Sequence, residues 1–326
     1  DFDTTDFDEL VIENITPNTN GVVLDSVRPY LYVAQADKID VYNIIDGSYI
    51  NSIQSPLESV DLTNLVIHPD GSMLLTSNVE TYLDDNEQEQ TRTNYYQVTL
   101  SNFSITQLAA ENIDIQYSPA KIIMVSGKPV VVTEALEFAD LTLNTQFWDS
   151  ENAYLTSTLA DIPSTNTFIA YNATELNLQH FNLGYNAFSE STVKINNILD
   201  YINPAHANGI SGIATNTDGS DIYTVNTTSE WSTNDEGVFA EQGLLDGNTL
   251  TTPVEVVTDS QNNIYFYRFD FGIGFFTLSK YDENQSNIWA TGYTAGSGDI
   301  HLSPDYQRVI HYNDTDNKLV IDLMPD

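Results

Sequence analysis

The period of the chain is its strongest constraint. Apolar runs of strand length begin at Leu31 ("LYVA"), Leu74 ("LLTS"), Val130 ("VVVT"), Phe168 ("FIAY"), Ile222 ("IYTV"), Ile264 ("IYFY") and Val309 ("VIHY"). Successive starts lie 43, 56, 38, 54, 42 and 45 residues apart, a mean of about 46. Three of the runs follow the same kind of turn text: "HPDGSMLL" (68–75), "NTDGSDIY" (216–223) and "SPDYQRVI" (303–310). A turn followed by an apolar run, repeated at this interval, describes a supersecondary unit that buries its faces only by stacking on its neighbours.

Between the turns, short stretches rich in Val, Ile, Tyr, Phe and Thr are bounded by Asn, Asp, Gly and Pro. Sustained 3.6-residue periodicity is missing, so the chain reads as all-β. The first unit is the clearest. "GVVLD" (21–25), "YLYVAQ" (30–35), "KIDVYNI" (38–44) and "SYINSI" (48–53) make four strands, with Asp46-Gly47 turning the last hairpin. Four strands per repeat and seven repeats describe a seven-bladed β-propeller. The last unit holds only three strands, ending in "KLVIDLM" (318–324), while "ELVIENI" (9–15) precedes the first unit and belongs to no other. The two are expected to pair, the N-terminal strand completing the C-terminal blade and covering a sheet edge. Residues 9–326 then form one propeller domain behind an acidic tail, 1–8. The second unit carries extra length around "YLDDNEQEQTRTNYY" (82–96), expected to be a long solvated hairpin or loop. Strands between 136 and 200 are not fixed by the pattern, and "FWDSENAYLTSTL" (147–159) fits either of two units.

"HPDGSMLLTSN", "NTDGSDIYTVN" and "RPYLYVAQADKIDVYNIIDG" resemble the YVTN-type repeats of the seven-bladed propeller superfamily that includes lactonase-like proteins. The resemblance covers most of the chain as repeat texture and implies the fold. Its motif residues are those that build blades, so it does not choose between lactone hydrolysis and a binding role. "PAHANGISGIATNTDG" (204–219) is similar to the histidine-bearing approach to a strand in lactonase-like propellers, which brings in His206 as a catalytic candidate and Asn208 as a ligand-binding one.

Charge and composition narrow the partners. With 10 Lys plus Arg against 47 Asp plus Glu, the net charge of −37 excludes nucleic acid and bare anionic lipid as partners and suits cationic proteins, metal ions or a saline exterior. Cysteine is absent, which removes disulfides, thiolate metal sites and cysteine nucleophiles. No apolar run is long enough to span a membrane as a helix. The opening "DFDTTDFDEL" lacks the basic and apolar regions of a signal peptide, so an export signal is expected to have been removed. The expected location is extracellular, periplasmic or outer-surface, with a lipid anchor as one means of attachment. A monomer is expected.

Candidate chemistry is sparse. The five histidines form no zinc-binding spacing. His68 occupies the slot taken by Ser303 in the last repeat and reads as structural, as does His311 inside "RVIHYN". His206 falls in a connection expected to line one mouth of the central channel. Asp299 and His301 sit at the corresponding place in the last unit, so these three form the catalytic candidate set, able to polarise a carbonyl or hold a divalent metal. Acidic loops supply calcium-type carboxylates at Asp84 and Glu87 and at Asp314 and Asp316, although neither completes an EF-hand. Trp148 and Trp231 lie in irregular polar stretches, where an indole suits stacking on a glycan or a peptide side chain, while Trp289 reads as a strand residue packed between blades. No G-x-S-x-G elbow or phosphate-binding loop occurs. The expected function is a binding platform for a glycan, metal ion or protein, with a lactonase-like or lyase-like enzyme at the channel mouth as the alternative. Calcium or another divalent metal is the cofactor expectation.

Overall fold

The structure is a computed structural model. It describes residues 9–57, 61–84, 86–109, 113, 115–125, 127–133, 135–143, 146–148, 159–162, 167–172, 177–184, 194–202, 210–218, 222–226, 231–235, 238–241, 251–270, 275–284, 286–293, 297–303, 305, 307–313 and 316–324. Among these residues every regular element is a β-strand, and all strand pairs are antiparallel.

Strand β1 (Glu9–Glu13) stands apart in sequence from the first sheet, which is β2 (Val22–Leu24), β3 (Tyr30–Gln35), β4 (Lys38–Asn43) and β5 (Tyr49–Gln54). The second sheet is β6 (Thr63–Ile67), β7 (Met73–Leu83), β8 (Glu89–Thr99) and β9 (Ser104–Gln107). The third is β10 (Pro119–Val125), β11 (Lys128–Thr133), β12 (Phe138–Ala139) and β13 (Gln146–Trp148). The fourth is β14 (Leu159–Ile162), β15 (Thr167–Asn172), β16 (Asn177–Gly184) and β17 (Lys194–Ile202). The fifth is β18 (Ile210–Thr215), β19 (Ile222–Asn226), β20 (Trp231–Asp235) and β21 (Val238–Glu241). The sixth is β22 (Thr251–Thr258), β23 (Ile264–Asp270), β24 (Phe275–Tyr281) and β25 (Asn287–Tyr293). The last comprises β26 (Ser297–Leu302), β27 (Arg308–Asn313), β28 (Lys318–Leu323) and, beyond them, β1. Each sheet is thus a four-stranded meander, save that the last takes its outer strand from the start of the chain, with Val11 opposite Val320.

Both faces of a sheet are buried, which explains the continuous apolar runs. In β3, Tyr32 and Ala34 pack towards Leu62, Leu74, Tyr96 and Val98 of the second sheet. Leu31 and Val33, on the opposite face by strand alternation, pack with Ile310, Leu319 and Ile321 of the last sheet. The same stacking joins the second sheet to the third through Leu75, Ile122 and Val131, and the sixth to the last through Tyr265, Leu278 and Val309. Trp289 belongs to this last interface, in edge contact with Tyr265, as expected of a strand residue between sheets. The arrangement is a propeller-like ring of antiparallel sheets.

Three sequence expectations meet the structure directly. "HPDGSMLL" is the hairpin between the first two strands of its sheet. The added length at 82–96 is the far half of a regular hairpin, β7–β8, paired from Met73 with Thr99 out to Leu83 with Glu89. "FWDSENAYLTSTL" is divided: Trp148 ends β13 of the third sheet and Leu159 begins β14 of the fourth.

Candidate functional site

Among the described residues, the one following the first strand of a sheet is buried and polar in five sheets: Asp25, His68, Asn216, Asp259 and Ser303. The amides of Val27 and Arg28 donate to Asp25 Oδ1 at 2.9 and 3.0 Å. Those of Gln261 and Asn263 donate to Asp259 Oδ1 at 2.8 and 2.9 Å. The Asp70 amide donates to His68 Nδ1 at 3.2 Å, and the Arg308 amide to Ser303 Oγ at 2.9 Å. A tight hairpin turn needs an acceptor for its amides, and several residue types, each buried beneath a largely exposed turn, meet that need in one position. The structural reading of His68 follows from this geometry.

In two sheets the carboxylate also anchors the second strand. Tyr32 donates its hydroxyl to Asp25 Oδ2 at 2.8 Å, and Tyr265 donates to Asp259 Oδ2 at 3.0 Å. Burial, with the hydrogen bond to Asp25 next, pushes the Tyr32 phenol well above its ordinary range, so it remains a donor. Arg28 completes the first of these clusters, with Nε donating to Asp25 Oδ2 at 2.7 Å and Nη2 to the Gly71 carbonyl of the next sheet at 2.6 Å.

A cavity of about 270 Å³ opens between the last sheet and the first, walled by residues 17–22 and by His301, Tyr312 and Leu319. The connection from β1 to β2 forms its rim. Asn18 donates from Nδ2 to the carbonyls of Ala36 and Leu62, and Asn20 donates from Nδ2 to Asn64 Oδ1 at 2.8 Å. Gly21 is required there because a Cβ would stand 2.6 Å from the Asn18 carbonyl oxygen. His301 is half-buried on β26 and faces this cavity beside Tyr312, whose hydroxyl lies 3.2 Å from Asn317 Oδ1. The space suits a small molecule with both polar and apolar parts: among the described residues, imidazole, amide and phenol groups line it beside Pro17, Val22 and Leu319, with no carboxylate, lysine or arginine.

Of the other sequence candidates, Asp299 is a backbone position in β26, while His206 and Asn208 lie outside the described residues. Asp84 turns the tip of the β7–β8 hairpin, its Oδ1 accepting the amides of Asn86 and Gln88 at 2.8 and 2.9 Å, and these bonds hold its carboxyl below the ordinary value. Glu87 is exposed in the same turn, with a φ of 60°. Asp316 lies in the turn between β27 and β28 of the last sheet, near Lys318 Nζ at 3.5 Å, and Asp314 lies outside the described residues. Among the described residues no group of three or more His, Cys, Asp or Glu side chains is placed to hold a metal. Trp148 and Trp231 occupy strands β13 and β20, paired with Phe138 and Val225, where the sequence suggested irregular segments. Their polar neighbours masked a strand pairing that only the partner strands reveal.

The fold defines the class: this chain is a β-propeller. No family model matches it, and no curated protein matches it. Solved structures match in number, 1224 chains, and that breadth marks a widely used fold rather than one activity. One of them, from "Crystal Structure of Mitotic Checkpoint Complex", superposes with a TM-score of 0.66 over 100% of this chain and 97% of that one, at 13% identity. At that identity the likeness is one of fold.

Proposed function

We propose that this chain is an exported, acidic, seven-bladed β-propeller of the YVTN-repeat type, closed by β1 on β28, that serves as a rigid platform for a protein partner. The observation that carries the reading is the use made of its polar side chains. Asp25, His68, Asp259 and Ser303 hold turn amides, and Arg28 ties one sheet to the next, so chemistry-bearing residues in the described hairpins serve rigidity. A rigid ring that leaves its outer loops to vary suits recognition, because little ordering entropy is lost on binding. The structural neighbour comes from a structure named as a complex, which agrees with a role in assembly. The net charge of −37 directs the partner's chemistry towards a basic surface.

The test is capture of proteins from extracts and surface fractions of the source cells on the immobilised chain, beside an unrelated propeller of equal charge. A discrete protein held by this chain alone, and released by salt, is the expected result. Retention of nothing beyond the control, or turnover of sugar lactones abolished by His301→Ala, overturns the platform in favour of another role.

A further inference from the structure

The β7–β8 hairpin is longer than its sheet requires. β6 reaches β7 only as far as Ser77, and β9 with the residue after it reaches β8 only as far as Tyr95, whose carbonyl accepts from the Leu108 amide. Beyond the buried Asn78 and Asn94 at its base, residues 79–83 and 89–93 pair with each other and with no third strand among the described residues, so a two-stranded ribbon projects with both edges open. Its two faces differ. On one, Arg92 donates from Nε to Glu80 Oε2 at 2.9 Å, Asn94 donates to the same oxygen at 3.0 Å, and the Arg92 guanidinium lies 5.3 Å from the centre of the Tyr82 ring. That network stiffens the ribbon. On the other face, Val79 and Leu83 are 62% and 64% exposed, flanking Thr81, with Thr93, Thr91 and, opposite Leu83, Glu89 across the ladder.

An open, twisted edge with bare β-branched and apolar side chains is a template for strand addition, and soluble proteins ordinarily block such edges. Residues 78–94 carry five carboxylates against one arginine, so the ribbon is acidic as well as apolar. A second copy of the chain would bring another −37 to the same place and be repelled. We infer that the outer half of the β7–β8 ribbon is the docking strand pair for an extended segment of a basic partner protein, apolar on the side that meets Val79 and Leu83 and bearing Lys or Arg on the other. The inference rests on the platform reading and names where its partner binds.

Two synthetic peptides test it: one alternating Lys with Val, the other alternating Lys with Thr. Binding to the intact chain at low salt is followed by calorimetry. The Lys–Val peptide is expected to bind more tightly, and the double variant Val79→Thr, Leu83→Thr to weaken it roughly tenfold while leaving the Lys–Thr peptide unchanged. Both side chains are solvent-exposed, so the variant keeps its melting temperature, which is measured alongside. Equal binding of both peptides to the native chain, or undiminished Lys–Val binding to the variant, overturns the ribbon assignment. So does sedimentation showing a dimer of the native chain that the double variant loses, which makes a second copy the occupant. A partner captured from extract that binds the variant as well as the native chain refutes the ribbon and leaves the platform standing. Capture of no partner refutes the platform whatever the peptides do.

Discussion

Arg28 donates through Nη2 to the carbonyl of Gly71 at 2.6 Å, joining the hairpin of the first sheet to that of the second. The same guanidinium neutralises Asp25, which is fully buried. Arg28→Ala removes the cation and leaves the carboxylate held by Tyr32 and two amides, so it is expected to cost about 3 kcal/mol. Arg28→Lys should recover only part of this, because an ammonium does not span both acceptors. Urea unfolding of the three proteins checks it; a loss below about 1 kcal/mol for the alanine variant would mean solvent replaces the clamp.

Gly71 faces that clamp in the left-handed region, φ 69°, and a Cβ there would overlap Val27 Cγ2 and stand 3.0 Å from Asp25 Oδ1. Gly47 has φ 71° but nothing within 4 Å of its would-be Cβ. Gly47→Ala therefore isolates the backbone strain, expected at about 1 kcal/mol, and Gly71→Ala adds the clash for a total on the order of 3 kcal/mol. Equal thermal shifts in the two variants would show that the inter-sheet contact yields freely.

The repeat period and the strand-dense texture made the all-β, stacked-unit architecture legible, because burial of both sheet faces writes continuous apolar runs into strands such as β3. The pairing of β1 with β28 was legible as a surplus strand at one end and a shortage at the other. The candidate site was far less so. His68, Asn216 and Ser303 head the three repeated turn texts and were legible as one slot, whereas Asp25 and Asp259, whose turns lack that text, join it only in the fold, since the turn demands an acceptor and not a particular residue type. The ribbon was read as added length between 82 and 96, yet its asymmetry depends on which residues face each other across β7 and β8, a register that sequence leaves open. His301 was chosen for its place in the last unit and does face a cavity, but one formed with the loop before β2, which sequence order separates from it by most of the chain.

Asp70 gives a pH-dependent readout. Hydrogen bonds from Ser72, first of all, hold its carboxyl below the ordinary value of 3.8, with His68 beside it. A carboxyl whose folded pKa is depressed contributes stability above its unfolded pKa and loses it as pH falls through the folded one. The native chain should therefore exceed Asp70→Asn in melting temperature near neutral pH, with the gap closing as the solution is acidified below about 4. A gap that stays constant from neutral to acid pH would assign the difference to side-chain geometry rather than to charge.

Removal of β1 tests how the last sheet is completed. Val11 faces Val320 across the ladder, Ile12 and Ile15 are buried in the cluster that joins the last sheet to the first, and the Ile15 amide donates to the Asn317 carbonyl at 2.7 Å. Deletion of residues 1–13 strips β28 of its neighbour and takes Ile12 out of that cluster. The expected cost is on the order of 3 kcal/mol, with aggregation on warming through the exposed β28 edge. A chain spanning residues 14–326, compared with the full chain by thermal melting and light scattering, reads both effects. The addition of a synthetic peptide of residues 9–15 should restore part of the lost melting temperature, since binding of the missing strand stabilises the folded state by mass action. Unchanged melting in the truncated chain would mean that β1 contributes no stability to the sheet it borders.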